Sequence, residues 1–311
     1  IPIRSLDFLK KHGLMPLVRK RDGRFTLFVK LVAFLFGDGH LSKNMGSIKL
    51  LGQRDDLKEL QADLSLFYGL RSNLTFQQAG SIIRKITSGR VVEKSVFGSC
   101  WCLSINHSPL ARLAALAGAP VGNKVSGSTT IPWWVMKGDK EIKRTFLGTL
   151  FGNELQCPVV RAKAAFSSPQ FGLHKIEGKI DNLEKFLIQI KILLQEFGIT
   201  SSPIAVEAGK TLRMNGTFSR KLYFSIDSHT PNIFRLFKEI PFIYAREKQE
   251  RFEGAVKVFE KRLTPLREEW ALYEKVIELH KEGIGRRKIF KKLTLPKAYF
   301  YKINAWLLYG K

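Results

Sequence analysis

The sequence predicts a mixed α/β (α+β) fold made of a duplicated unit, with antiparallel sheets in the two halves and a small all-α appendage. Three observations predict it. An apolar run ending in an acid, LVAFLFGDG at 31–39, has a counterpart in LGTLFGNEL at 147–155. The helix and strand signals that follow each run come in the same order, α-β-β-α-β-β-α, which internal duplication explains most simply. After residue 263 the composition changes to short helical patterns split by tight turns.

The elements follow in order. Residues 1–27 form a basic lead-in, with SLDFLK at 5–10 able to open a helix and KRDGR at 20–24 reading as a turn. The 31–39 run is a helix. GSIKLLG at 46–52 is a strand, and 53–68 is an amphipathic helix with Leu57, Leu60, Leu64 and Phe67 on one face and Gly69 as its stop. Strands are expected at 72–77 and 97–105, separated by a polar basic stretch at 81–94. Ser108-Pro109 starts a helix that Gly118 ends. Trp133 and Trp134 read as packing at the junction between halves. The second half has the 147–155 helix, strands near 159–166 and 172–176, and a helix at 182–197. A hairpin then spans 206–226 across Asn215-Gly216, and a helix begins at Thr230. The expected domains are 1–27, 28–139, 140–263 and 264–311. In the last, a helix near 266–280, a short one at 286–292 and a final one at 297–307 fit a helix-turn-helix.

Charge narrows the partners. Among 311 residues, 52 Lys and Arg stand against 27 Asp and Glu, leaving +25. An excess of that size points to a polyanion, since each phosphate neutralised releases counterions. No apolar stretch is long enough to span a bilayer, and no secretion signal is legible in the opening residues, so a membrane partner is not expected. Cys100, Cys102 and Cys157 form no CxxC pair and read as apolar fillers in a reduced compartment. The expected location is the cytoplasm of a prokaryotic or archaeal cell, at the nucleoid. The chain opens on Ile rather than Met, so residues upstream are expected. It has no closing His-Asn, so a free-standing product is expected rather than a whole intein.

The two runs carry the chemistry. Small residues at Ala33 and Gly37 let a second backbone come close, and Thr149 and Asn153 occupy the matching places. Asp38 and Glu154 then fall at equivalent helix ends. Two carboxylates brought together beside phosphate are costly unless a divalent cation neutralises them, and hard oxygen ligands suit Mg²⁺ or Mn²⁺. Such ions activate water and stabilise the leaving oxygen of a phosphodiester. His174 has no partner in the sequence, and no histidine spacing suggests another nuclease chemistry.

With these residues in place the chain resembles the LAGLIDADG homing endonucleases in their monomeric, two-motif, archaeal and intein-like form, over roughly 28–262. The segment IPWWV at 131–135 followed by KEIKRTFLGTLFGNE at 140–154 resembles the approach to the second motif, and the C-terminal part resembles helix-turn-helix appendages. The resemblance implies two motif helices at the interface and a saddle-shaped antiparallel sheet from each half in the major groove of a long specific site in double-stranded DNA. It implies Asp38 and Glu154 as metal ligands, with Mg²⁺ as cofactor and Mn²⁺ or Ca²⁺ as substitutes for binding. It also implies Lys124 and Lys248 beside the metals, Gln53 holding metal-bound water, and a role in intron or intein homing. One departure is Leu155, which stands where the family has a glycine; an enzyme that nicks or cleaves weakly would follow from a misaimed Glu154.

Groove-facing candidates are Lys49, Arg84, Lys85 and Arg90 in the first half, and Arg161, Lys163, Lys175, Arg213, Arg220 and Lys221 in the second. Arginine suits guanine edges and lysine suits phosphate. In the C-terminal domain the candidates are Arg286, Arg287, Lys297, Tyr299 and Lys302. Two alternatives stay open: a non-catalytic DNA-binding regulator, and a maturase-like protein that binds intron RNA.

Overall fold

The computed structural model describes residues 3–12, 14, 23–87, 90–161 and 165–310. The chain divides into two units, Ile1–Glu253 and Gly254–Lys311.

In the first unit, α1 (Ile3–Lys11) precedes α2 (Gly23–Phe36), β1 (Gly39–Leu41), β2 (Ile48–Gly52) and α3 (Arg54–Tyr68). A long hairpin, β3 (Asn73–Thr87) and β4 (Arg90–Ile105), leads to α4 (Ser108–Leu116) and α5 (Trp133–Met136). Then come α6 (Lys140–Glu154), β5 (Val160–Arg161), β6 (Ala165–Phe166), β7 (Gln170–Ile176), a 3-10 turn and α7 (Ile180–Glu196). The short strands β8 (Ala205–Val206) and β9 (Lys210–Leu212), then β10 (Phe218–Ser225) and α8 (Thr230–Glu239), precede α9 (Arg246–Lys281). The second unit ends with α10 (Arg286–Lys292) and α11 (Ala298–Tyr309).

The centre of the first unit is α2 against α6. From Leu27 to Gly37 every residue of the run but Lys30 is buried, as expected of a helix apolar on all sides. That is also why α2 extends a full two turns before the 31–39 run: Phe25, Leu27 and Phe28 continue its apolar surface. The helices meet through small residues. A Cβ built on Gly37 would lie 2.8 Å from Asn153 Cβ, so glycine there admits α6. On the other side of α6, a Cβ on Gly148 would lie 2.5 Å from the Pro241 carbonyl oxygen, and one on Gly152 would overlap that of Ile243. Gly152→Ala is therefore expected to destabilise the protein by about 1–3 kcal/mol, read by urea unfolding, because the obstacle is backbone and cannot swing away.

The sequence predicts a separate antiparallel sheet in each half. Instead the strands of both halves join in one eight-stranded sheet, in the order β1-β2-β4-β3-β9-β10-β7, with β8 also on β10. The ladders are antiparallel, and β5 and β6 form a small pair of their own. The halves join because β3 runs ten residues past the apolar stretch and reaches β9, pairing Arg84 with Leu212, Lys85 with Thr211 and Ile86 with Lys210. The polar basic segment 81–94 thus belongs to the β3–β4 hairpin. Its ladder to the tip supplies the hydrogen bonds, and it has too little buried face to show a hydrophobic alternation. The Asn215-Gly216 turn is where the sequence puts it, with Gly216 at φ +77°. Trp134 packs between Phe25 and Phe28 and donates Nε1 to the Ala117 carbonyl at 2.8 Å, while Trp133 is exposed.

The second unit has its own small core of Val276, Leu279, Ile289, Ile303 and Trp306, drawn from α9, α10 and α11. No helix among the described residues is long and apolar enough to cross a membrane.

Candidate active site and nucleic-acid face

Helix α2 ends at Phe36, and Asp38 follows two residues on; Glu154 is the last residue of α6. The backbone of Asp38 is fixed by Leu51 of β2, whose N–H donates to the Asp38 carbonyl at 3.0 Å. The packing of α2 on α6 then brings the two carboxyls into each other's field. Burial pushes the Glu154 carboxyl up to about 7, and the Asp38 charge adds to the rise; Lys124, Lys248 and Lys221 oppose it. Asp38 is raised as well, by burial first, against the pull of Lys124 and Lys248. Burial thus raises both acids more than their mutual repulsion does, and Lys124 and Lys248 are the charges that stand against them.

The two lysines occupy corresponding places. Lys124 donates Nζ to the carbonyl of Gly37, just past α2. Lys248 donates to the carbonyls of Gly152 at 2.6 Å and Leu155 at 2.8 Å, at the end of α6. Each ammonium satisfies carbonyls that a helix end leaves open and sits at the negative pole of that helix. Burial lowers both lysines, and both acids act to hold each of them protonated. Two acids and two lysines thus form one electrostatic cluster.

Leu155 does not disturb this. It lies at φ −76° and ψ 135°, an ordinary extended conformation, and its side chain is buried in the core. No left-handed backbone is needed there, so leucine is accommodated at this position without strain.

A cleft of about 610 Å³ opens beside the cluster, lined by Asp38, Gln53, Asp56, Gln156, Lys248 and Arg251 among others. Gln53, exposed just before α3 and making no cap bond, is among the residues that line this space. Gln156 and Arg251 are residues that sequence reasoning missed. Nothing in their local pattern marks them, because only the fold brings them to Asp38.

Among the described residues no group of three or more His, Cys, Asp or Glu could hold a metal alone. The two carboxylates fit Mg²⁺ in its commoner mode, with one or two protein carboxylates and the remaining positions filled by phosphate oxygens and water. The cysteines are free thiols.

Strand register sorts the basic candidates. Following the ladders, Lys49, Lys85, Arg90 and Lys221 share one face of the joined sheet, and Arg213 continues it just past β9. Lys94, which sequence reasoning passed over inside the polar basic stretch, belongs there too. The opposite face carries Leu50, Leu103, Leu222 and Phe224 into the core. On the open face Lys85 pairs with Glu207 at 3.3 Å, Lys221 donates to Gln170 at 3.0 Å, and Arg213 donates to Ser219 at 2.8 Å. His174 stands opposite Lys221; its Nδ1 is buried without a partner, and burial lowers its pKa.

Three candidates change place. Lys175 is 2% exposed and its ammonium is spent inside the protein, so it cannot meet DNA. Arg220 pairs with Lys175 in register on the core side and reaches Glu177 at 3.4 Å. Arg84, also on that side, is held by Glu93 across the hairpin at 2.6 Å. Alternation within strands whose facing was misread accounts for all three. Lys163 and the side chain of Arg161 lie outside the described residues.

In the second unit Arg286 donates to Asn304 at 2.5 Å and lies over the Phe300 ring, and Lys302 pairs with Glu269 at 2.7 Å. Tyr299 packs against the small core. Arg287 and Lys297 are exposed, and the exposed Lys288, Lys291 and Lys292 extend that basic surface along α10. The positive charge therefore sits on α10 and the following turn more than on α11. Should this surface meet DNA, changing Arg287, Lys288, Lys291 and Lys292 to Gln is expected to weaken binding alike on all sequences. The slope of log affinity against log salt should flatten by about 0.9 for each phosphate that is no longer neutralised, as fluorescence anisotropy would show.

No family model matches the chain. It is similar to segments of curated proteins with unlike names. One is the tRNA-splicing ligase RtcB of Pyrococcus furiosus, 30% identical over 213 residues, 67% of this chain and 21% of that protein. Another is the DNA-directed RNA polymerase subunit Rpo1N of Methanocaldococcus jannaschii, 28% identical over 247 residues, 78% of this chain and 18% of that protein. A third is the replication factor C small subunit of the same organism, 25% identical over 234 residues, 75% of this chain and 12% of that protein. The chain thus spans about a fifth or less of the length of these relatives. Among solved structures it is similar to mesophilic variants of the homing endonuclease I-DmoI, with a TM-score of 0.40 and 10% identity over 69% of this chain and 88% of that one. I-DmoI in complex with DNA and Mn gives 0.41 and 10% over 69% and 96%. Likeness of that size decides nothing about activity.

Proposed function

We propose that this protein is a divalent-metal-dependent, site-specific DNA endonuclease of the LAGLIDADG homing type, with two pseudo-symmetric halves and a C-terminal helix-turn-helix. The observation that carries the reading is the cluster at the two helix ends, where Asp38 and Glu154 share one field with Lys124 and Lys248. The basic open face of the sheet receives the duplex, and Lys49, Arg90 and Lys94 meet phosphates. Asp38 and Glu154 would hold Mg²⁺, which supplies charge neutralisation and water activation at the phosphodiester. Lys124 and Lys248 hold the helix ends and place positive charge beside the scissile phosphates. Gln53 orients water in the cleft.

The sequence comparison supports the same reading from another side. A ligase, a polymerase subunit and a replication factor share a segment like this chain, each over about a fifth or less of its own length. None of their activities belongs to a segment common to all three. An insert that moves between host genes accounts for it, and cutting a specific DNA site is how such an insert moves. The ordinary backbone at Leu155 supports this reading over that of a non-catalytic regulator.

Incubation of the protein with a randomised duplex library and Mg²⁺, followed by sequencing of the ends, tests the proposal. Recurrent double-strand breaks at one long motif are the expected result. Binding without ends at any metal would overturn it.

A further inference from the structure

The segments that carry the two lysines are each fastened to the half of the molecule they do not belong to. Lys124 closes the first half, on a stretch following α4. Its anchors come from β7 and α7 of the second half. Lys175 donates Nζ to the carbonyls of Lys124 and Gly127 at 2.5 and 2.6 Å and to Thr129 Oγ1 at 2.5 Å. The Ile176 N–H donates to the Val125 carbonyl at 3.1 Å. Asn182 binds both the N–H and the carbonyl of Thr129, at 2.7 and 3.1 Å, and Gln189 accepts from the Ile131 N–H at 2.9 Å.

Lys248 closes the second half, just after residues 241–246. That stretch is bonded to α6 of its own half, through the Ile243 N–H to the Gly148 carbonyl at 3.1 Å. Its side-chain anchors come from α2 and α3 of the first half. The Tyr244 hydroxyl donates to the Asp63 carboxylate, and Lys30 reaches the same hydroxyl at 3.3 Å and the carboxylate at 3.4 Å. Asp56 accepts from the Arg246 N–H at 2.8 Å. Tyr244 holds a left-handed φ of +52°, costly for a residue with a Cβ, so the surroundings must impose it.

A buried ammonium spent wholly on backbone and hydroxyl, as at Lys175, is expensive unless it fixes something. What it fixes is the segment that delivers Lys124. We propose that Lys175 on one side, and Tyr244 with Asp63 and Lys30 on the other, are positioning residues acting crosswise. Each half holds in place the lysine that serves the helix end of the other. The inference rests on the proposed endonuclease activity for its kinetic consequence but not for its structural one.

Two readouts on the full chain test it. Hydrogen exchange of the free protein comes first. Lys175→Met is expected to speed exchange at least tenfold in 123–131 and to leave 241–248 and α2 unchanged; Tyr244→Phe is expected to do the reverse. Exchange that does not change in the targeted segment, or that rises everywhere, overturns the proposal. The second readout is cleavage of a supercoiled plasmid carrying the selected site. Each variant is expected to accumulate nicked circles, with Lys175→Met sparing one strand and Tyr244→Phe sparing the other, while equal slowing of both strands overturns it. If Lys175→Met does not fold, Asn182→Ala loosens the same segment and must show the same signature. Should the wild-type protein cut no DNA, the endonuclease reading falls and the exchange data alone decide the bracing.

Discussion

Asp38→Asn and Glu154→Gln are each expected to slow DNA cleavage at least a thousandfold, about 4 kcal/mol of barrier. Duplex affinity should hold or rise, because a negative charge facing phosphate has been removed. The loss follows from the proposed ligand set: among the described residues no group of three or more His, Cys, Asp or Glu is placed to hold a metal, so an ion held by Asp38 and Glu154 would lose one of two protein carboxylates. The two variants should differ in one respect. The Asp38 charge is the second-largest cause of the raised Glu154 carboxyl, so Asp38→Asn lets Glu154 ionise at lower pH. Residual activity of Asp38→Asn should therefore reach its plateau at lower pH than that of the wild type. Single-turnover rates on a labelled duplex at pH values on both sides of about 7, where Glu154 titrates, would show both effects. Wild-type rates in either variant would remove these residues from the chemistry.

The second large effect is on stability. Glu154 binds its proton up to about pH 7 in the folded protein, against 4.5 in an unfolded chain. Between those values the native state holds more protons than the unfolded state, so stability falls as pH rises through the window. The full difference is at most about 3 kcal/mol. In the presence of chelator, Glu154→Gln should be more stable than wild type at pH 8, by up to that amount, and equal to it at pH 4. Mg²⁺ at pH 8 should restore the wild type and leave Glu154→Gln unmoved. Urea unfolding followed by fluorescence measures all three. A wild type whose stability is flat from pH 4.5 to 8 without metal would contradict the electrostatic picture of the cluster.

Much of this arrangement was legible in the sequence. The apolar runs, their acids and the glycine-stopped helices are local signals, and α3, α4, α7 and α10 fall within a few residues of where periodicity and caps put them. The acids could be paired because their runs look alike. Sequence could not show that Lys124 and Lys248 cap helix ends, since both bonds join residues about ninety positions apart. Nor could it show the reach of β3 and β4. The far part of the hairpin is mostly exposed on both faces and has no alternation to read, so Lys94 was passed over and Lys85 could not be told from Arg84 by facing. Lys175 failed for the opposite reason. A lysine in a strand is assumed to face solvent, and only the backbone carbonyls gathered beneath β7 make its burial tolerable.

The junction between β3 and β9 has a consequence for how a target would be measured. β3 pairs with β9 at three residues, and Lys85 and Glu207 form an ion pair at the seam, so the two halves share one sheet rather than presenting two separate ones. The distance between the two ends of a bound site is then set by the protein as by a ruler. Under the endonuclease reading, a target lengthened by a single base pair at its middle is expected to put one end out of phase with the basic residues of the joined sheet.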